Sequence, residues 1–468
     1  MVFSSLTFLY IFLPLCLLAY YLAKNIKIKN IVLLAFSLVF YAVGEPKYIF
    51  LMVLTVLVDY VGGILIDRYR RTGLAKLCLG ITAAITLGFL AVFKYAGFFT
   101  ENVNSLFNIS LTVPGLSLPV GISFYTFQAL TYVIDVYRGK VPVQKSFYKL
   151  LLYVSMFPQL IAGPIVRYSE VDKQLSERTV TLNAAASGIL RFSIGLIKKT
   201  VVANYAGKLC GAMLGDSLAG TSSVGAFVGL LAYTIQIYFD FSAYSDMAIG
   251  LGKMFGFDFP ENFNYPYVAD SVNDFWKRWH MTLSGFFKDY VYIPLGGNRR
   301  RWAFNMLLVW MLTGFWHGAS WNYIVWGLYY FVFLMLEKLY IGERLAKLNP
   351  VIKHLYTLAV VMLGWAFFYF EDMSRLRLFF KDIFFKNGFL SLTDKTIIAN
   401  YLLLLLVGIV FSMPVAKFVR GLCFRFSRKQ AGKIAVGVLQ TVTVAFCLLI
   451  STACLVGDSY NPFLYFRF

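Results

Sequence analysis

Three histidines occur in the sequence, and two of them stand in settings that suit proton transfer. His317 lies in the segment LTGFWHGASW (312–321), and His280 ends the segment NDFWKRWH (273–280). An imidazole with an unperturbed pKa of about 6.5 accepts a proton at neutral pH, so it can activate a hydroxyl as a general base. The third histidine, His354, is given no role.

His317 falls within a long apolar run, residues 302–340. About 15 residues of helix at about 1.5 Å each place its ring about 22 Å along the run, inside an apolar layer about 30 Å thick. An ionisable side chain at that depth marks a functional site by default. Gly314, Gly318 and Ala319 are expected to leave room for a substrate beside the ring. A neutral core histidine, hydrogen-bonded to a carbonyl or to Ser320, is the alternative.

A polar cluster interrupts another apolar run, residues 224–251, and includes Gln236, Asp240 and Asp246. Lipid offers no hydrogen-bond partners, so these side chains must face a polar interior. Asp240 and Asp246 are six residues apart and lie on different faces of a helix, which excludes a simple carboxylate dyad. Hydrogen bonding between helices is the favoured interpretation, and support for a catalytic histidine by these residues and Ser320 is compatible with it.

The longest polar stretch, residues 252–301, alternates aromatic and basic side chains. This composition suits an amphipathic element at the membrane face. The functional alternative is a basic surface that holds a phosphorylated donor such as a coenzyme A derivative. Residues 294–298 (PLGGN) predict a turn, because Gly and Asn accept positive φ. The residues that would bind such a donor are Lys277, Arg278, Asn298, Arg299 and Arg300.

Composition limits the chain to one class of protein. Of its 468 residues, 59% are apolar and 14% are charged, against about 45–50% and about 25% in soluble domains. This excludes a soluble enzyme, a disordered chain and a nucleic-acid-binding module. In the strands of a membrane barrel, apolar and polar residues alternate. The residues of these runs are apolar throughout, so a membrane barrel is excluded. The sequence therefore predicts an all-α polytopic membrane protein.

Apolar runs long enough to cross the bilayer recur along the whole chain. They predict about 11–13 transmembrane or re-entrant helices around a central tunnel, in a single membrane domain over residues 1–468. Pro158 and Pro164 interrupt one run, which indicates irregular backbone that lines a cavity, with tight packing as the alternative. The runs are 5–23, 30–44, 48–66, 74–99, 118–137, 148–166, 184–204, 224–251, 302–340, 351–370, 397–416 and 434–456.

The charge distribution predicts the orientation of the chain. Its 43 Lys and Arg against 23 Asp and Glu give a net charge of +20, which the accumulation of cations in cytoplasmic loops explains better than nucleic-acid binding. The first run precedes Lys24, Lys27 and Lys29, so we expect a retained span rather than a cleaved signal, with both chain termini outside. The loop 371–396 should also lie outside, yet its five cations conflict with this scheme.

No sequence motif for metal, nucleotide or serine-hydrolase chemistry is present. The six cysteines form no CxxC pair, and neither HExxH, a Walker-type run nor a GxSxG elbow occurs. We therefore expect no metal and no bound cofactor. Acyl transfer remains, in which a histidine takes the proton from an acceptor hydroxyl as its oxygen attacks a thioester carbonyl.

Several stretches, distributed in order over nearly the whole chain, resemble the membrane-bound O-acyltransferase family. Within that family they are most similar to the bacterial branch that contains the alginate O-acetyltransferase membrane subunit. The stretches that carry the resemblance are 119–128, 135–139, 157–168, 238–250, 274–298, 315–318 and 461–466.

The resemblance implies that His317 corresponds to the family's buried catalytic histidine and His280 to its second histidine. It further implies an intracellular donor, acetyl-CoA, and a location in the bacterial cytoplasmic membrane, with the acetyl group delivered towards the outside. Family members generally work with a separate extracytoplasmic SGNH-like acyltransferase that completes transfer onto a polysaccharide. The expected partners are therefore the lipid bilayer, that enzyme and the polysaccharide acceptor, and not nucleic acid.

Two other hypotheses stay open on the sequence. The first keeps the family but changes the cargo to D-alanine, passed from a carrier protein to teichoic acid. The second is a transporter or flippase of lipid-linked sugars, which predicts transport without acetyl-CoA dependence.

Overall fold

In a computed structural model, the chain is built from helices joined by turns. The structure describes residues 1–215, 218, 220–384, 387–457, 463 and 464, and within these ranges there is no strand. Eight helices in the described part of the chain are long and apolar enough to cross a membrane, and Phe8–Leu22 is a shorter apolar helix. The all-α, polytopic membrane class is confirmed. A central tunnel stays a prediction.

The helices follow the predicted apolar runs closely, with short helices in the polar stretches between them. They are α1 Phe8–Leu22, α2 Ile26–Gly44, α3 Ile49–Arg68, α4 Gly73–Phe107, α5 Ile122–Tyr137, α6 Phe147–Ser155, α7 Phe157–Leu160, α8 Tyr168–Val171, α9 Gln174–Glu177, α10 Leu182–Ile197, α11 Asn204–Leu214, α12 Ser223–Met254, α13 Val272–Trp276, α14 Met281–Phe287, α15 Trp302–His317, α16 Trp321–Lys347, α17 Pro350–Tyr369, α18 Met373–Ile383, α19 Leu392–Ser412, α20 Val415–Phe426 and α21 Gln430–Gly457.

The described chain forms two compact units. Unit 1 contains Met1–Phe192 and Ser245–Pro260, and unit 2 contains Ser193–Tyr244 and Glu261–Leu464. The long helix α12 contributes residues to both units. This division does not test the prediction of a single membrane domain over residues 1–468, which stays a prediction.

The proline-interrupted run in unit 1 is broken where the sequence predicts a break. Helix α6 ends at Ser155, and the single turn α7 follows, with Pro158 in its first turn. Gly163 then adopts a φ of 95°, in the left-handed region that favours glycine. Every residue from 150 to 166 is buried. The structure therefore corresponds to the tight-packing alternative for this segment.

The long apolar run 302–340 in unit 2 forms a helical hairpin. Helix α15 ends at His317, and α16 begins at Trp321 after a short turn. The two helices approach closely at two glycines, because a methyl group at Gly314 would overlap the Tyr323 carbonyl and one at Gly327 would overlap the Trp310 carbonyl. Small residues allow such contact between apolar helices. This hairpin fixes the position of His317.

Candidate active site

His280 occupies a backbone junction in front of the short helix α14. Its φ is 43°, and only 1% of its surface is exposed. The Nδ1 atom lies 3.0 Å from the Asn262 Oδ1 atom, which also accepts the Thr282 hydroxyl at 2.9 Å. An amide oxygen only accepts hydrogen bonds, so the proton resides on Nδ1 and the basic lone pair on Nε2.

The protonation state of His280 follows from its burial. Removal from water disfavours the charged imidazolium and lowers the pKa of His280 to about 3. The ring is therefore neutral at physiological pH. A base with so low a pKa accepts a proton weakly, so His280 suits a hydrogen-bonding role better than proton abstraction.

We expect the His280 ring to stay neutral at pH 5. Because its pKa is lower in the folded protein than the value of about 6.5 for an unfolded chain, its neutral form stabilises the fold fully above about pH 6.5. That contribution is lost as the pH falls from about 6.5 towards the folded value near 3. Histidine-selective ¹⁵N NMR measures this, with His317→Gln and His354→Gln to assign the three rings. An imidazolium signal from His280 at pH 5 would contradict the prediction.

His317 is the last residue of α15, and its ring is enclosed by aromatic side chains. The ring centroids of Trp316, Trp326 and Phe368 lie 4.9, 5.2 and 5.1 Å from that of His317. Only 4% of the residue is exposed. Helix α15 has 16 residues and is about 24 Å long at about 1.5 Å per residue. That length is shorter than the apolar layer of about 30 Å, so a helix that starts at the membrane face ends within it.

The structure brings the two predicted histidines against the same indole. The ring centroid of Trp316 lies 4.9 Å from that of His317 and 5.9 Å from that of His280. Phe241 also contacts His280, with the two ring centroids 4.7 Å apart. Two buried imidazoles from segments 37 residues apart thus form one site in unit 2.

The expectation of free space beside His317 is wrong at both glycines. A methyl group at Gly318 would overlap the Tyr323 ring, and Gly314 contacts the carbonyl of the same tyrosine. These glycines therefore serve the hairpin contact rather than substrate access. Ser320 is half-buried at the N-cap of α16, and its role as an orienting residue stays a prediction.

The two aspartates of α12 have different partners. Asp240 forms a buried ion pair with Lys199, with the Oδ1 and Nζ atoms 2.6 Å apart, and its Oδ2 accepts the Leu464 backbone N–H at 2.7 Å. Asp246 belongs to unit 1, where it pairs with Arg191 at 3.0 Å. The prediction that they lie on different faces agrees with these separate partners.

Gln236, the third polar residue of the α12 cluster, packs against α11. A methyl group at Gly207 would lie 2.6 Å from the Gln236 Nε2 atom. The amide therefore takes the space that a larger residue at position 207 would fill. This contact agrees with helix-to-helix packing for Gln236, while its role towards a histidine stays a prediction.

Glu337 supports the site, although it is not among the residues predicted from the sequence. Its carboxylate accepts the backbone N–H groups of Val272 and Asn273 at 2.7 and 3.0 Å, at the start of α13. These are the N–H groups that a helix N-terminus leaves without internal partners. The contact fixes the segment that leads to His280. A carboxylate within the apolar run 302–340 was the available signal.

The basic stretch contains a turn that Asn305 holds closed. Gly296 and Gly297 have φ values of 106° and 55°, which confirms the predicted glycine turn. The Asn305 side-chain amide donates to the Gly297 carbonyl at 3.0 Å and to the Arg300 carbonyl at 2.7 Å. The backbone of this loop is therefore fixed by a buried side chain from α15.

The predicted donor-binding residues differ in how they are engaged. Lys277, Arg299 and Arg300 are exposed. Arg278 instead donates from its Nε to the Asp274 carboxylate at 2.8 Å, within its own segment. The side-chain oxygen of Asn298 accepts one hydrogen bond from the Tyr292 hydroxyl at 2.9 Å and another from the Lys338 ammonium at 3.1 Å.

Part of the charge conflict in the loop 371–396 has a structural reason. The Arg375 guanidinium donates to the carbonyls of Leu214 and Gly215 at 3.0 and 2.7 Å, at the end of α11. A cation suits the negative end of a helix. Lys386 lies outside the described residues. Within those residues, no group of three or more His, Cys, Asp or Glu side chains is placed to hold a metal ion.

Comparison with known proteins places the chain among acyltransferases. The profile of the membrane-bound O-acyltransferase family matches residues 141–349, which include both histidines of the site. The probable alginate O-acetylase AlgI of Azotobacter vinelandii is 35% identical, with 100% of each chain covered. The peptidoglycan O-acetyltransferase of Helicobacter pylori is 32% identical over 100% of this chain and 98% of that protein.

A teichoic acid D-alanyltransferase of Bacillus subtilis is also similar, at 29% identity. That match covers 58% of this chain and 76% of that protein. The full-length matches are thus to O-acetyltransferases, and the match to the D-alanyltransferase is partial. None of these relatives is named as a transporter, so the hypothesis of a sugar flippase has no support here.

Proposed function

This chain belongs to the membrane-bound O-acyltransferase family and is an O-acyltransferase, and we propose that it transfers acetyl groups for the O-acetylation of an extracellular or cell-wall polysaccharide. The donor is an intracellular thioester, acetyl-CoA. The observation that carries the proposal is the pair of buried imidazoles on Trp316, within the part of the chain that matches the family profile. The full-length similarity to alginate and peptidoglycan O-acetyltransferases supports acetyl as the cargo.

In the proposed reaction His317 is the general base. The acceptor O–H loses its proton to the imidazole while its oxygen forms a bond to the thioester carbonyl carbon. The C–S bond then breaks, and the proton passes to the leaving thiolate. The products are an acetyl ester and coenzyme A, and the base is regenerated. The aromatic enclosure of His317 excludes water, which would otherwise hydrolyse the thioester.

His280 has a different part in this proposal. Its Nδ1–H is held by Asn262, so the Nε2 lone pair has a fixed direction. Its low basicity makes it a hydrogen-bond partner that orients a group in the site rather than the residue that removes the proton. Asn262 and Glu337 are positioning residues, because they act through His280 and the segment that carries it.

The donor binds, in this proposal, at residues 294–301, which are the glycine turn and the three arginines that follow it and are called the basic turn below. Arg299 and Arg300 are exposed and stand on a loop whose backbone Asn305 fixes, and Lys277 is exposed earlier in the same polar stretch, residues 252–301. Guanidinium groups suit phosphate oxygens, which coenzyme A carries. The Arg278 charge is already offset by Asp274, so Arg278 contributes less to phosphate binding than Lys277.

Neutralising the basic turn should weaken donor use more than acceptor use. We expect the variant Arg299→Gln, Arg300→Gln, Arg301→Gln to raise the apparent KM for acetyl-CoA by about tenfold, since each charge-assisted contact to phosphate contributes about 1.5–3 kcal/mol and solvent screening reduces this at an exposed site. Steady-state kinetics with varied acetyl-CoA and fixed acceptor measure the change. An unchanged KM for acetyl-CoA would mean that the turn is only a membrane anchor.

The proposal includes a place and partners for the reaction. The chain is a multi-pass membrane protein, and we place it in the bacterial cytoplasmic membrane with both termini outside. The acetyl group then passes to a separate extracytoplasmic SGNH-like acyltransferase, which completes the transfer. A reporter fused after Phe468 tests the orientation, and a cytoplasmic signal would contradict it.

Labelled donors test the cargo. Purified protein with its partner and ¹⁴C-acetyl-CoA should label the polysaccharide, whereas the same mixture with a D-alanyl-loaded carrier protein should not. The reverse result would favour the alternative, which is D-alanyl transfer to teichoic acid. The partial similarity to a teichoic acid D-alanyltransferase is the observation that keeps this alternative open.

A further inference from the structure

Helix α20 presents an apolar face that no described residue covers. The helix connects two helices that are long and apolar enough to cross a membrane, α19 and α21. None of its residues is buried. At about 100° per residue, one side carries Phe418, Val419, Leu422 and Phe426, which are 69, 47, 38 and 70% exposed. Exposure of such a face to water is unfavourable in free energy, so we expect an apolar environment to cover it.

The opposite side of α20 carries Lys417 and Arg420, with the exposed side chain of Phe424 between them. Arg425 lies at the border of the two sides, next to Phe418, and Arg428, Lys429 and Lys433 follow the helix directly. From Lys395 to Gly457 the sequence contains no Asp or Glu. Arg420, Arg425 and Arg428 are exposed. The positive charge of this segment is therefore not balanced along the chain.

One contact fixes the rotation of α20 about its own axis. The Lys417 ammonium donates to the Asn264 Oδ1 atom at 2.8 Å and lies 4.9 Å from the centroid of the Tyr265 ring. The cationic side at this first turn therefore faces a polar segment of unit 2. Phe426 lies on the opposite side of the helix from Lys417, at about 100° per residue.

From these three observations we propose that α20 lies in the membrane surface and binds anionic phospholipid. The phenylalanine side enters the acyl-chain boundary, and the guanidinium groups of Arg420, Arg425 and Arg428 bind the phosphate oxygens of the lipid headgroups. This is the behaviour expected of a helix that carries an apolar face together with several exposed basic residues. The proposal is independent of the acyl-transfer reaction.

Anionic lipid fits these observations better than a soluble polyanion does. A soluble anion such as coenzyme A would satisfy the arginines, but it would leave Phe418 and Phe426 exposed to water. A lipid supplies both parts, since its phosphate and its acyl chains are joined in one molecule. The position of α20 between two membrane-crossing helices places it at the depth where headgroups lie.

Lipid retention by the full-length protein tests the proposal. The protein is reconstituted in bilayers of equal phosphatidylcholine and phosphatidylglycerol and extracted into mild detergent, and the retained lipids are counted by mass spectrometry. We expect retained phosphatidylglycerol to exceed phosphatidylcholine, and this preference to fall as NaCl rises, because salt screens the contact. No preference in the wild-type protein at low salt would overturn the proposal.

Variants test whether the preference for phosphatidylglycerol arises at α20. The triple variant Arg420→Gln, Arg425→Gln, Arg428→Gln should reduce phosphatidylglycerol enrichment about fivefold or more, the factor expected for the loss of even one surface cation. The matched control Lys24→Gln, Lys27→Gln, Lys76→Gln removes three exposed cations elsewhere and should keep the enrichment. The Arg→Lys triple at 420, 425 and 428 keeps the charge and should also keep it.

Other outcomes of the variant series would overturn the proposal. One is unchanged enrichment in the glutamine triple; another is an equal loss in the matched control. A third is normal enrichment together with weaker acetyl-CoA binding, which would identify the arginines as part of a donor site. If the glutamine triple does not fold, the salt dependence of the wild-type protein and the Arg→Lys triple decide the question.

Discussion

Replacing His317 by alanine is expected to reduce acetyl transfer by about 10²–10⁴-fold, the range that loss of a general base produces. The ring is enclosed by Trp316, Trp326 and Phe368, and none of these three side chains can accept the proton in its place. Transfer of label from ¹⁴C-acetyl-CoA to the acceptor measures the effect. His317→Gln keeps most of the side-chain volume and should be equally inactive.

Two further variants separate chemistry from structure in this experiment. His354→Gln removes a histidine that is bonded to the Ala269 carbonyl at 2.9 Å, and it should keep acetyl transfer near the wild-type rate. Asn262→Ala releases the His280 ring and should lower kcat with a smaller loss than His317→Ala, because the base itself remains. Full transfer by a folded His317→Ala protein would remove this residue from the catalytic role.

Replacing Asp240 by alanine is expected to destabilise the protein by about 3–5 kcal/mol, because it leaves the Lys199 ammonium buried without its counter-ion. The side chains of Lys199 and Asp240 are only 3 and 2% exposed. The Leu464 N–H also loses its acceptor. Unfolding in mild detergent, followed by circular dichroism at increasing denaturant, measures the loss.

A matched control for this prediction lies six residues further along the same helix. The Arg191–Asp246 pair is 23 and 22% exposed, so water can solvate the arginine when the aspartate is removed. Asp246→Ala should therefore cost clearly less stability than Asp240→Ala. The double variant Lys199→Met, Asp240→Leu removes both charges and should recover most of the loss. Equal losses for the two alanine variants would contradict the assignment of a buried pair.

The apolar runs alone were sufficient to predict the class of the protein and most of its helices. Transfer of a residue from water to lipid depends on its own side chain, so a run of such residues predicts a membrane helix without knowledge of its neighbours. The same reasoning identified His317, because ionisable groups are rare among apolar residues, whereas His280 stands in a polar stretch and was singled out by its residue type and by the family resemblance. The break near Pro158 and the glycine turn at Gly296 and Gly297 are local too, and both are confirmed.

Partners that are distant in sequence could only be found in the tertiary structure. Asn262 precedes His280 by 18 residues, and Lys199 precedes Asp240 by 41, without any motif that joins them. The space expected beside Gly318 is filled by the Tyr323 ring. The small residues around His317 in the sequence do not predict this contact. Burial and hydrogen bonding depend on which segments meet, and that is a property of the whole fold. The sequence therefore determined which residues were candidates, and the packing of helices decided which atoms face one another.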